Sequence, residues 1–141
     1  MKFILLLVLA LPLPCAGAET ITLHSGTHRI QAEIAATPQS RKNGLMRRSH
    51  LCADCGMLFI FPNTSKVSFW MKDTPLPLSI AFITADGTIL NIEEMQPNTT
   101  DAHSAQGQAL YALEMPSAWF VKHGIKPGAS IQGLQQAPAG Q

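Results

Sequence analysis

Three groups of residues in this chain could do chemistry. The stretch VSFWMKDT, Val67 to Thr74, places an indole two residues from an ammonium, with a carboxylate and a hydroxyl following at Asp73 and Thr74. On an extended segment, alternate side chains share a face, so Trp70 and Lys72 point the same way. Such a pair makes a shelf, a flat apolar surface with a cation at its edge, suited to a flat or anionic ligand. The commoner use of such residues is packing, with Trp70 closing a small core and Lys72 laying its stem over it. The second group is Cys52-Ala53-Asp54-Cys55. A redox C-x-x-C opens a helix whose N-terminus lowers the thiol pKa. Here the pair precedes the apolar run GMLFIF, and Asp54 disfavours a thiolate. A structural disulfide closing a short loop, worth about 2 kcal/mol or less, is the leading reading. A redox enzyme ranks below it. Zinc would need ligands from a second pair, and none follows at a suitable spacing.

The third group is Met57 and Met71, taken together with Cys52 and Cys55. Soft thioethers and thiolates select Cu(I), which an adjacent indole can shield. Methionine is more often core filler. Copper handling therefore stands as the alternative, and the leading reading expects no cofactor. The chain contains no G-x-S-x-G, H-E-x-x-H, phosphate-binding loop or dinucleotide fingerprint. Asp73, Glu93, Glu94, His103, Glu114 and His123 are acid–base candidates only one at a time, because nothing in their spacing forces two together. No catalytic residue is assigned.

The elements that must position these groups read as mainly β. Short apolar runs alternate with turn residues, which predicts a small closed or partly open β-barrel or sandwich with two short helices. TITLH and THRIQAEIA form a first hairpin about Ser25-Gly26. Thr37 caps a two-turn helix that begins at Pro38 and stops at Gly44 in the left-handed conformation. The runs GMLFIF and KVSFWMK are expected to pair across a five-residue loop, Pro62 to Lys66. That register sets Phe61 opposite Val67, Phe59 opposite Phe69 and Met57 opposite Met71 on one face. Leu58 then faces Trp70, and Gly56 faces Lys72, on the other. SIAFIT and TILNIEEM form a hairpin across Asp86-Gly87. Residues 97–108 make a long polar loop, ALYALEM a strand, PSAWFVKHG a short helix ended by Gly124, and ASIQGL a last strand. The tail 135–141 has nothing to bury and is expected to be disordered.

The N-terminus reads as a leader. Lys2, the apolar run FILLLVLAL and the small residues AGA predict a signal peptide, residues 1–18, cleaved after Ala18. Pro14 before Cys15 speaks against a lipoprotein signal. No other run is long and apolar enough to span a bilayer. Export to the periplasm or beyond follows, with a single β domain over 19–134. Without Lys2 the chain has nine basic and nine acidic residues. That balance offers no electrostatic reason for a nucleic-acid or membrane partner. Arg41, Lys42, Arg47 and Arg48 could hold an anion locally, although a solvated turn is the plainer reading.

In their order and spacing, RKNGLMRR (Arg41–Arg48), GMLFIFP (Gly56–Pro62), FWMKDTPLPLSIAF (Phe69–Phe82), ADG (Ala85–Gly87), YALEMP (Tyr111–Pro116) and HGIKPG (His123–Gly128) resemble the bacterial and archaeal family called domain of unknown function 192. The resemblance runs from about Ile21 to Leu134. It implies a compact, mainly β, barrel-like domain, often exported, with no established activity. Typical positions of that family are matched at Gly44, Leu45, Met46, Gly56, Met57, Phe69, Trp70, Met71, Lys72, Thr74, Pro77 and Gly124. Members commonly carry aspartate where this chain has Ser79, and asparagine where it has Asp73. The cysteine pair is a local feature outside the shared motif. A motif that includes both Trp70 and Lys72 favours the shelf over packing alone. The expected function is a binding module, its site formed by Trp70, Lys72, Asp73 and Thr74 with Arg41, taking a small ligand or an envelope protein.

Overall fold

The computed structural model describes residues 17–141, so the expected leader, apart from its last two residues, lies outside the described residues. Strands β1 (Thr20–Ser25) and β2 (His28–Ala35) form the expected hairpin, turning at Gly26 with φ 57°. Helix α1 (Pro38–Asn43) starts as its sequence demands. Thr37 Oγ1 accepts from the Ser40 amide at 3.1 Å, and Ser40 Oγ accepts from the Thr37 amide at 3.0 Å. Two amides left free by the first turn are thereby satisfied. Gly44 ends the helix with φ 45° and ψ −135°, a positive φ but not the left-handed helical conformation.

Strand β3 (Cys55–Ser65) runs through the middle of the sheet, and β4 is only Ser68–Phe69. Strands β5 (Leu78–Ile83) and β6 (Ile89–Met95) pair across the Asp86-Gly87 turn. After them come β7 (His103–Ser104), β8 (Ala109–Pro116) and helix α2 (Trp119–Lys122). The main sheet has the order β1-β2-β3-β8-β5-β6, with β4 and β7 forming a separate ribbon. Among the described strands only the β2–β3 contact is parallel, and α1 lies in the crossover between those strands.

One face of the sheet carries a core drawn from all six strands, including Leu23, Ile30, Leu58, Leu113, Ala81 and Ile89, with Trp119, Phe120, Ile131 and Leu134 packed over it. A sheet that surrounds its core in this way is curled, but it is not closed. Residues 128–132 reach towards closure through single bridges, Ser130 to Thr88 and Gln132 to His24. The opposite face, mostly of β3, β8 and β5, packs Met57, Phe59, Ile80, Phe82 and Ala112 against Leu45, Val67, Met71 and Ala105 of the covering segments. Burial of Val67 and Met71, at about 2 kcal/mol each, holds the segment after β3 down on the sheet.

Three expectations are corrected. The run GMLFIF does not pair with KVSFWMK: β3 lies between β2 and β8 and continues through the residues expected to form a loop. Gly56 to Ile60 are all buried, and a strand buried on both faces is a central strand that needs a neighbour on each edge. Phe59 and Phe69 still meet, edge to face at 4.9 Å between centroids, but as sheet against cover. The last strand, ASIQGL, is reduced to the two bridges already described. The tail is also placed. Leu134–Gln136 form a single 3-10 turn, Ala137 packs on the core, and the Gln141 amide donates to the Ala36 carbonyl at 2.8 Å.

Candidate functional site

Between α1 with its following turn and the segment from β4 to Thr74 the cover leaves a cleft of about 590 Å³, a size that suits a small organic ligand. Arg41, Trp70, Lys72, Asp73 and Thr74 all line it, as do Lys42, Arg47, Phe59, Phe69 and Glu114. The residues expected to form the shelf therefore line one cleft. They reach it from a connecting segment, not from a strand face. Among the described residues Trp70 is one of two large apolar side chains left exposed, at 51%. Lys72 Nζ sits 5.5 Å from its ring centroid, within cation–π range. The packing alternative required a buried indole, and this one is open to solvent.

Backbone bonds fix this segment from both sides. The Met71 amide donates to the Thr99 carbonyl at 2.9 Å, the Asn98 amide to Thr74 at 3.0 Å, and the Ala105 amide to Val67 at 2.9 Å. The long polar loop 97–108 thus acts as a brace for the shelf. Across the cleft, the Arg47 amide donates to the Asp73 carbonyl at 2.7 Å. Both residues hold positive φ, 61° and 55°, a conformation that costs a non-glycine residue about 1 kcal/mol or more. Asp73 is there for its backbone shape, and asparagine and aspartate tolerate that shape best among side-chain-bearing residues. Thr74 is buried, and its hydroxyl donates to the Lys72 carbonyl at 3.1 Å, so it shapes the turn.

The basic residues divide by partner. Arg41 Nη1 donates to the carbonyls of Ala36 and Ile60 at 2.8 and 2.9 Å, and Nη2 to that of Gln141 at 2.6 Å. Its guanidinium also lies over Phe61. Arg41 lines the cleft, but these bonds give its guanidinium a structural task. Arg48 grips Glu33 with two bonds of 2.5 and 2.6 Å, which raise its pKa. Lys42, Arg47 and Lys72 line the cleft with no carboxylate of the described residues within salt-bridge distance.

Glu114 is the member of the site that sequence reasoning did not assemble. It stands on β8 between Met57 of β3 and Ile80 of β5, and is 4% exposed. Among the described residues no side chain or backbone group hydrogen-bonds its carboxyl, whose oxygens keep a small opening to the cleft. Burial without a partner penalises the charged form and pushes its pKa up to about 8. The same row across the sheet holds Glu33 on β2 and Glu93 on β6. Both have partners, Arg48 and, at 2.7 Å, His103. The signal in the sequence was a lone carboxylate inside ALYALEM, a run apolar on both alternations.

The other candidates lie elsewhere. Cys52 and Cys55 precede the buried part of β3 with Cα atoms 5.0 Å apart, a separation that admits a disulfide. Asp54 between them accepts from the Trp119 indole at 3.0 Å, so its carboxylate has a structural role. Met57 and Met71 lie together in the second core with Phe59 and Phe82. Among the described residues no three histidine, cysteine or acidic side chains gather as a metal site, and no helix is long and apolar enough to cross a membrane.

The family profile for domain of unknown function 192, described as uncharacterised, matches residues 20–133. The chain belongs to this family. Among curated proteins none matches it. Two solved structures share its fold. A Sinorhizobium meliloti 1021 protein, described only provisionally as a transcription regulator, is 35% identical with a TM-score of 0.76, over 83% of this chain and 94% of that one. A Novosphingobium aromaticivorans DSM 12444 protein of unknown function is 30% identical with a TM-score of 0.75, over 84% and 89%. At position 79, where the family resemblance implies aspartate, this chain has serine. Ser79 is buried and donates to Glu94 Oε1 at 2.5 Å, while the Ala118 amide before α2 donates to both Ser79 Oγ and Glu94 Oε2. Glu94 stands opposite Ser79 on the neighbouring strand, β6.

Proposed function

We propose that this domain of unknown function 192 protein is an exported binding module whose site is the cleft beside Trp70. The observation that carries the reading is the exposed indole with Lys72 at its edge, in a cleft that also holds a buried carboxyl with no hydrogen-bond partner among the described residues. A carboxyl that opens onto a cleft lined by aromatic and basic side chains leaves a hydrogen-bonding group available to a bound molecule. The walls are braced through the backbone, so the site is formed before a ligand arrives, which lowers the cost of binding. The leader-like N-terminus supports export. Export in turn supports a Cys52–Cys55 disulfide, because extracytoplasmic compartments are oxidising.

Native mass spectrometry of protein from the exported fraction, beside a denatured spectrum after thiol alkylation, tests the reading. The expected outcome is a chain that begins at Glu19, a bridged cysteine pair, and a small-molecule adduct that denaturation removes. Trp70→Ala and Lys72→Ala should each lose that adduct. Both should retain wild-type stability to within about 0.5 kcal/mol, as surface substitutions do. Unfolded variants, or an adduct that persists in both, would sink the proposal. A copper adduct that requires Met57 and Met71 would instead support the Cu(I) reading.

A further inference from the structure

We infer that the cleft binds a small aromatic acid, its ring against Trp70 and Phe69 and its anionic group met by Lys72, Arg47 and the Glu114 carboxyl. This rests on the cleft being a ligand site and names the ligand's chemistry. The walls supply flat apolar surface from Phe59, Phe61, Phe69 and Trp70, which calls for a ring or planar body. Lys42, Arg47 and Lys72 stand around that surface against one exposed acid, Asp73, so the local field favours a negative ligand.

Glu114 decides where the charge goes. From the adjacent strands it is faced by Met57 and Ile80, and one strand further out the Glu33 and Glu93 carboxylates are already held by Arg48 and His103. The cover lines the same cleft with Arg41, Lys42, Arg47, Lys72 and Asp73, none of them hydrogen-bonded to Glu114 among the described residues. The basic lining of the cleft disfavours a cationic ligand, and burial raises the pKa of the Glu114 carboxyl. A protonated carboxyl is a hydrogen-bond donor, and its natural partner is a carboxylate or similar oxyanion. The two form a short, charge-assisted bond that an ionised Glu114 could not make.

Titration calorimetry with 2-naphthoate and with 2-naphthylmethylamine, a ring of similar size bearing the opposite charge, tests this on the whole chain. At pH 6 the acid should bind at least tenfold more tightly than the amine, and both Trp70→Ala and Lys72→Ala should weaken it. Between pH 6 and pH 9 wild-type affinity for the acid should fall about tenfold as Glu114 ionises. Glu114→Gln, which keeps a neutral donor, should hold the pH 6 affinity and lose that fall. If Glu114→Gln does not fold, the wild-type and Lys72→Ala pH series read the same effect. Tighter binding of the amine would overturn the acid assignment and leave the site reading intact. Binding of neither probe would also overturn the aromatic-acid class, and the native mass spectra would then show whether the site reading falls with it. Naphthoate binding that Trp70→Ala leaves unchanged would place the ligand elsewhere and end the inference.

Discussion

Replacing Glu114 by glutamine should change how the stability of this protein depends on pH. In the unfolded chain the carboxyl ionises near its ordinary 4.5, and in the fold burial moves it to about 8. Between those values the folded state holds a proton that the unfolded state has released. Stability therefore falls as pH rises, by about 1.4 kcal/mol per pH unit. The contribution is fully present below 4.5 and lost once pH has passed 8, about 5 kcal/mol in all. Glutamine has the same shape and no charge at any of these values. Urea unfolding of both proteins at pH 5.5 and 8.5 isolates the effect, since every other titrating group cancels in the difference. The stability of Glu114→Gln relative to wild type should improve by about 3 kcal/mol from the lower pH to the higher. Parallel pH profiles would refute the reasoning, because they would mean that Glu114 ionises in the fold as it does in water.

Gly56→Ala should destabilise the protein by about 3 kcal/mol in urea melts, because a Cβ at that position would collide with the Glu114 carbonyl and the Met115 thioether. A near-neutral result would mean that β3 and β8 can move apart without loss. Arg41→Ala should free the tail: hydrogen exchange at the Gln141 amide should accelerate, with a stability loss of about 2 kcal/mol from the carbonyls left without their donor. Unchanged exchange would show that the backbone bond to Ala36 holds the tail without help.

The fold was largely legible because its elements announce themselves locally. Thr37 with Pro38, the Ser25-Gly26 and Asp86-Gly87 turns, and the alternation in THRIQAEIA each act within a few residues. The central pairing was not legible in the same way. GMLFIF is buried on both faces, and a run without alternation does not say which neighbours it takes. Proximity in sequence suggested KVSFWMK, and the actual partners are β2 and β8, the latter more than fifty residues further along. Disorder after Leu134 failed for a related reason. The bonds that hold the tail come from Ala36 and Arg41, about a hundred residues away.

The site divides along the same line. Composition and the motif order by themselves determined a mainly β domain of this family, and the single stretch VSFWMKDT put Trp70, Lys72, Asp73 and Thr74 within reach of one another. Only the tertiary structure decided that the indole stays exposed, that Arg41 is given over to carbonyls, and that loop 97–108 braces the shelf. It also decided that Glu114 forms the floor. A carboxylate between two apolar neighbours looks the same in sequence whether it faces solvent or core. Its protonation depends on what β3, β5 and the cover place around it, and those contacts exist only once distant segments have packed.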